Sequence, residues 1–409
     1  VLTVGAVVAG TTMAGAQASP ELPNRTAAQL LADVQQATGP GPLTATVQET
    51  ANLGLPSLPG SSNSSSAMSL LSGTHSFNIW YADPAHMRVS QPVQLGESDL
   101  RRDGRQVWLW NSKNQTATHV VLPAVPAGSA GDSSAGDGQG SPAPPPTPQN
   151  LARQILAAVG PTTTVSVQQN VTVAGQSAYQ LAVAPKDSGS LIGRVTIAVD
   201  AHRYLPLRVQ VFARGSSSPA FELGFTSLSF GEPAASNFAF TPPADAKVKT
   251  IQVPAKFRPG KAIGRHHHGM HGLSPLAGGR HVPGHAGAGP VTVLGKGWLS
   301  VLKVSANSPS DGSTTTTTTS TSGSGAYSST LTITAGSPSS GPGHDSRLAA
   351  QARAIARTLM REATPVSGSW GSGRLLRTSL VSVLITSKGT VYVGAVEPSV
   401  LYADAAASK

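Results

Sequence analysis

Hydrophobic residues along this chain recur mostly at every second position, the spacing that brings them to one face of an extended strand. The clearest stretch runs from Gly73 to Pro123, where Phe77, Ile79, Met87, Val89, Val107 and Leu109 keep that period around two turn signals, Ala82-Asp83-Pro84 and Asp103-Gly104. Proline presets φ and glycine supplies the positive φ of a hairpin turn, so three extended segments in an antiparallel sheet are expected. Trp108 and Trp110 alternate with Val107 and Leu109. That run is apolar on both faces, which predicts the most enclosed strand of the sheet, although a tryptophan pair is also ordinary packing.

The same period continues on either side. Leu43, Ala45 and Val47 mark a strand over 43–53. From Thr162 a meander follows through Val165 and Val167, Val171 and Val173, then Tyr179, Leu181 and Val183, with a turn at Ala174-Gly175-Gln176. Segments 192–199 and 205–212, the latter carrying Leu207 and Val209, lead to Phe221, Leu223 and Phe225. Two stretches switch to helical spacing. Leu30, Leu31 and Val34 follow a Thr26 or Asn24 cap and stop at Gly39-Pro40; Leu151, Ile155 and Leu156 precede Gly160-Pro161.

Pro84 in the first turn, Arg88 in the strand after it, Asp103-Gly104-Arg105-Gln106-Val107-Trp108, Asn111, and the closing Asn237-Phe238-Ala239-Phe240-Thr241-Pro242-Pro243 fall in a telling order. Over about Thr26 to Val248 the chain resembles the LolA-like family of periplasmic lipoprotein carriers, to which the RseB-like sigma-factor regulators are also similar. The resemblance implies an α+β, mainly antiparallel protein: a half-open curved β-barrel with a helical lid and an apolar cavity for acyl chains, its last strand ending at Thr241-Pro242-Pro243. The cavity would be lined by Leu43, Val47, Phe77, Ile79, Met87, Val89, Val107, Leu109, Leu181, Val183, Leu207, Val209, Phe221 and Leu223. One departure stands out. The carriers place a basic residue just before the turn proline, and here that position is Asp83. Spacing alone supports a generic antiparallel sandwich equally well. What favours a cavity is the imbalance between a large apolar sheet face and two short helices to cover it.

Composition divides the chain. Of 409 residues 12% are charged and 39% hydrophobic, with 44 Gly and 32 Pro, so much of it reads as loop or linker. The expected layout is a signal peptide over 1–18 with an Ala16-Gln17-Ala18 cleavage site, and a lipid-binding domain over 19–248 with disordered loops at 54–68 and 124–148. A His/Gly/Pro-rich linker at 249–290 and a small α+β domain at 291–409 follow, the latter with a Ser/Thr-rich insertion at 307–326. In that domain a β-pattern over 289–306, a short strand over 331–334, a basic amphipathic helix over 347–362 and a hairpin ending near Val396 are expected.

Without cysteine there is no disulfide, thiolate site or lipidated cysteine. His266, His267, His268 and His271 are weak metal candidates, since no fixed geometry surrounds them and a solvated tract is the plainer reading. No cofactor motif, nucleophile elbow or paired carboxylates appear, and enzyme activity is not expected. A net charge of +10 suits anionic surfaces, including peripheral membrane contact, while export and scattered basic residues argue against nucleic acid. Two readings result: an exported cell-envelope protein holding lipid or lipoprotein acyl chains, or an RseB-like regulator that senses envelope lipids and binds a membrane-anchored anti-sigma-type partner.

Overall fold

A computed structural model of the chain describes residues 19–37, 39–54, 72–93, 95–123, 147–157, 159–252, 291–304 and 360–408. The segments read as signal peptide, Ser/Thr insertion and 331–334 strand lie outside the described residues. So do most of both loops, most of the linker including its histidines, and all but the last turn of the 347–362 helix.

Twelve strands form one sheet in the order β12-β6-β5-β4-β3-β2-β1-β11-β10-β9-β8-β7. They are β1 (Leu43–Asn52), β2 (Ser72–Asp83), β3 (His86–Val93), β4 (Gly96–Asp103), β5 (Gln106–Asn111), β6 (Thr116–Val121), β7 (Thr163–Val173), β8 (Gln176–Pro185), β9 (Ile192–Asp200), β10 (Pro206–Ala213), β11 (Pro219–Phe230) and β12 (Lys247–Gln252). Every pairing is antiparallel except β12 on β6. The sheet is large and curved and is not closed into a barrel. Two local meanders, β2–β6 and β7–β11, meet at β1, which pairs with β2 on one side and β11 on the other.

The region read as three extended segments holds four strands up to Asn111. The missed turn lies at Leu95, which takes φ 62° and is 89% exposed. A leucine at positive φ carries no turn signal in sequence. The Asp103-Gly104 and Ala174-Gly175 turns form as expected, with Gly104 at φ 57° and Gly175 at φ 79°. At Pro84, the Asp83 carboxylate accepts from the amides of Ala85 (2.6 Å) and His86 (3.0 Å) and contacts the His86 ring at 2.8 Å. The His86 hydrogen bond is the main cause that holds the Asp83 carboxyl below its ordinary pKa. Asp83 is thus committed to closing its own turn.

Helix α1 (Ala27–Gln36) opens on a capping box, in which Thr26 Oγ1 accepts from Gln29 N and Gln29 Oε1 accepts from Thr26 N. Helix α2 (Pro148–Ala157) lies against β10 and β11. Leu30, Val34, Ala152 and Leu156 pack on Tyr179, Leu181, Val183, Val195, Ile197, Val199 and Val209. The most enclosed strand is β9, whose last six residues are all buried; β5, expected in that role, is half-buried along its length. The reason is coverage, because both helices pack chiefly on β7–β11 rather than on the wing β3–β6.

The Phe238-Ala239-Phe240 segment is not a strand. As a strap it crosses the face of the wing that carries Trp108 and Trp110, with Phe238 buried and Phe240 against Trp108 (5.4 Å between ring centroids) and Trp110 (5.8 Å). The strap delivers the chain to β12, which continues to Gln252.

The second unit is a six-stranded sheet in the order β13-β14-β18-β17-β16-β15. Its strands are β13 (Val291–Leu294), β14 (Val301–Val304), β15 (Thr364–Gly368), β16 (Gly371–Arg377), β17 (Ser382–Thr386) and β18 (Val391–Gly394). The β-pattern over 289–306 is therefore two strands, split by a 3-10 turn at Gly297–Leu299. A helix absent from the sequence reading, α3 (Pro398–Ala407), buries Leu401 and Ala405 against Val301, Trp370, Leu384, Tyr392 and Val396.

This unit docks on the first. Leu191 N donates to Ala395 O (2.9 Å), Glu397 N to Gly189 O (2.8 Å), and Trp298 Nε1 to Thr163 Oγ1 (2.8 Å). Ser190 and Val396 form an isolated antiparallel bridge.

Candidate binding face

Cross-strand register defines which side chains share the covered face. One transverse row runs Val167, Leu181, Ile197, Val209, Leu223, Glu49, His75. Two others cross the wing: Ala45, Ile79, Val89, Leu100, Leu109, Thr118; and Leu43, Tyr81, Met87, Arg102, Val107, Val120. Residues paired across strands point the same way, so these rows form one continuous face.

The fourteen residues read as cavity lining divide into three groups along it. Leu181, Val183 and Val209 belong to the solid core under α1 and α2. Leu43, Val47, Phe77, Ile79, Val89, Leu207 and Leu223 are buried in a second cluster around β1, β2 and β11, against which Met87, Phe221 and Leu151 of α2 pack. Val107 and Leu109 stand apart, half-buried on the wing.

The wing's opposite face is built differently. Arg88 lies 4.6 Å from the Trp80 ring, Arg101 lies 5.1 Å from the Phe240 ring, and Trp108 stacks on His119 at 4.0 Å. Asp99, fully buried, accepts from Arg88 Nε at 3.0 Å and from Arg101 Nε at 2.7 Å. This packing backs the wing, while its front, Arg102 and Thr118 apart, is apolar and largely half-buried.

Among the residues of this face outside the fourteen are Glu49, His75, Leu100 and Arg102. Glu49 was legible in principle, because it falls on the inward period of Leu43, Ala45, Val47 and Ala51. Leu100 was hidden by the undetected turn at Leu95.

Two further concavities lie at the surface, away from the wing. One, of about 550 Å³, is bounded by Ser19–Arg25 and Val167–Asn170; the other, of about 460 Å³, by the end of α1 and His202–Tyr204. Among the described residues no cluster of His, Asp or Glu has metal-binding geometry, and no helix is long and apolar enough to cross a membrane.

No protein-family description and no curated protein sequence matches the chain. Solved structures do. The complex of Pseudomonas aeruginosa MucA/MucB is 13% identical over 93% of this chain and 96% of that one, with a TM-score of 0.38. A LolA superfamily protein from Nitrosomonas europaea is 9% identical over 53% of this chain and 99% of its own, with a TM-score of 0.21. An uncharacterized conserved protein from Thermus thermophilus is 12% identical over 55% and 99%, with a TM-score of 0.29. LolA-superfamily and MucB structures, among those found, bear the names of the family that the sequence resembles. At TM-scores below 0.5 and identities this low the likeness carries no argument, and what the chain does has to be argued from its own residues.

Proposed function

We propose that this is an extracytoplasmic binding protein that holds an acyl chain against the apolar face of its curved sheet, with no covalent step. One observation carries the reading. The helices pack chiefly on the β7–β11 half, whereas on the wing Met87, Leu100, Val107 and Leu109 continue the same apolar face half-buried. Each methylene removed from water there contributes about 0.8 kcal/mol, so partial enclosure of one chain reaches the roughly 8 kcal/mol of micromolar binding. The half-covered wing would be the entrance, and α1 with α2 the fixed side of a lid.

Native mass spectrometry of the protein gently extracted from its host tests this. Co-purifying acyl lipid is expected, and Leu109→Asp, on a half-buried position, should abolish it while the melting temperature shifts little. Absence of lipid from the unaltered protein would overturn the reading.

A second reading is favoured by the docked second unit, which joins the rim of the large sheet through main-chain bonds at Gly189, Leu191 and Leu53. In it, the protein is a regulator whose second unit captures a membrane-anchored partner and reports the state of the apolar face. Capture of such a partner by the full chain, altered when lipid is added, is the expected result.

A further inference from the structure

The inward row of β1 reads Leu43, Ala45, Val47, Glu49, Ala51, so a carboxyl group stands where the period calls for an apolar side chain. Glu49 is 3% exposed and its Oε2 has no hydrogen-bond partner. A buried, unpaired polar atom costs on the order of 1–3 kcal/mol, and a fold retains such a group where something else uses it. Its cross-strand partners are His75 on β2 and Leu223 on β11. The adjoining pair, Ala51 and Gly73, carries almost no side chain, and a Cβ built on Gly73 would meet nothing within 4 Å. The apolar floor of Val47, Phe77 and Leu223 thus ends at a carboxyl group next to the exposed Gly73, where no side chain of the strand closes the edge.

We propose that Glu49, with His75 beside it, is the polar anchor of this face, donating a hydrogen bond to the ester or amide carbonyl of an acylated ligand whose chain extends from there toward the half-covered wing. The inference rests on the acyl-binding reading and adds to it the ligand's polar end and its orientation. Burial raises the Glu49 pKa to about 7, with the charge of His75 pulling it back, so at mildly acidic pH the group is a neutral O–H donor. His75 is the titratable residue facing it from β2. On β11 and β10 the charged neighbours Glu222 and Arg208 alternate onto the opposite face, and α2, packed on those strands, contributes Arg153. A cationic headgroup would require the ionised carboxylate, which the surrounding aliphatic and aromatic side chains disfavour. A carbonyl takes the neutral form as it stands.

The test compares two fluorescent probes on the full chain: the methyl ester of a pyrene-labelled fatty acid, and a pyrene-labelled alkane of the same length without a carbonyl. Binding is titrated at about pH 5.5 and about pH 8.5, on either side of the Glu49 transition, for the unaltered protein, Glu49→Gln and Glu49→Leu. The unaltered protein should prefer the ester by about tenfold at the lower pH, as one desolvated hydrogen bond supplies, and lose most of that preference at the higher. Glu49→Gln, a neutral donor of the same shape, should keep the preference at both. Glu49→Leu should bind both probes alike. Equal binding of the probes by the unaltered protein at both pH values, or an unchanged preference in Glu49→Leu, overturns the anchor and leaves acyl binding standing. Failure of both probes to bind the unaltered protein overturns the acyl-binding reading, and the anchor with it.

Discussion

The amide of Ser379 donates to the carbonyl of Leu53, 3.0 Å away, and its Oγ reaches the carbonyl of Asn52 at 3.3 Å. A loop of the second unit is thereby fastened to the end of β1, a few residues from Glu49. The other junctions, at Thr163, Gly189 and Leu191, fall at the start of β7 and in the turn before β9. By register these positions share one rim of the large sheet, since Ala51 is joined through Phe221, Val211, Val195 and Val183 to Val165. The second unit therefore borders the rim beside the proposed anchor.

The junction can be opened from Gly189. A Cβ on Gly189 would stand 3.1 Å from Leu299 Cδ2 and 3.2 Å from Val400 Cγ2, so Gly189→Val pushes an isopropyl group into that contact. Hydrogen exchange at the Leu191 and Glu397 amides should accelerate by about tenfold or more, as expected for the loss of roughly 1–2 kcal/mol of local protection. Amides in the middle of β9 should keep theirs.

Glu49 gives stability a pH dependence of defined sign. Its folded pKa, about 7, lies above the ordinary value of 4.5, so between these limits the folded state binds more protons than the unfolded one. Its contribution is fully present below about pH 4.5 and is lost as pH rises through 7. The shift corresponds to about 3 kcal/mol. Denaturant melts across this range should show the decline, and Glu49→Gln should flatten it.

Asp99 is the buried carboxylate between Arg88 and Arg101. Asp99→Ala removes the carboxylate shared by two largely enclosed guanidinium groups, leaving Arg88 its longer contact to Glu97 and Arg101 the carbonyl of Ala239, and a loss of about 3 kcal/mol is expected by chemical denaturation. Substitution of Arg377, whose exposed side chain pairs with the half-buried Glu397, should cost about 1 kcal/mol or less by the same measurement.

Phe240 fixes the strap to the wing. Phe240→Ala removes its contacts with Trp108, Trp110 and Arg101 and should cost about 1–3 kcal/mol. Tryptophan emission should shift to the red as the two indoles meet water. An unchanged spectrum would mean that the strap does not shield them.

The period-two pattern made most of the sheet legible, because a strand with one covered face has to alternate. β1, β7–β11 and both N-terminal helices were read close to their observed bounds, and the Thr26 cap was visible as a residue type at a fixed offset. What failed lacked a local signal. Leu95 turns the chain with a side chain that ordinarily avoids positive φ. α3 is nearly uniform in hydrophobicity, Pro-Ser-Val-Leu-Tyr-Ala-Asp-Ala-Ala-Ala, and has no amphipathic period to detect. The apolar alternation of Phe238 and Phe240 mimics a strand, yet they bind as anchors on aromatic rings rather than through a ladder. At the binding face, the aliphatic residues followed from their spacing. Glu49 did not, because a carboxylate on an apolar period looks like an error in the pattern until its burial is known.

The seam at β1 bears on how the molecule is assembled. Each meander can form from neighbours in sequence, but β1 waits for β11, and β6 waits for β12 to arrive alongside it. Contacts between segments so distant along the chain form slowly, and an edge left open in the interval is a hazard. Until residues beyond Phe230 have been delivered, the tryptophans of the wing and the free margin of β6 remain bare, so a chain truncated before the strap should be captured by chaperones or aggregate rather than persist as a smaller soluble sheet.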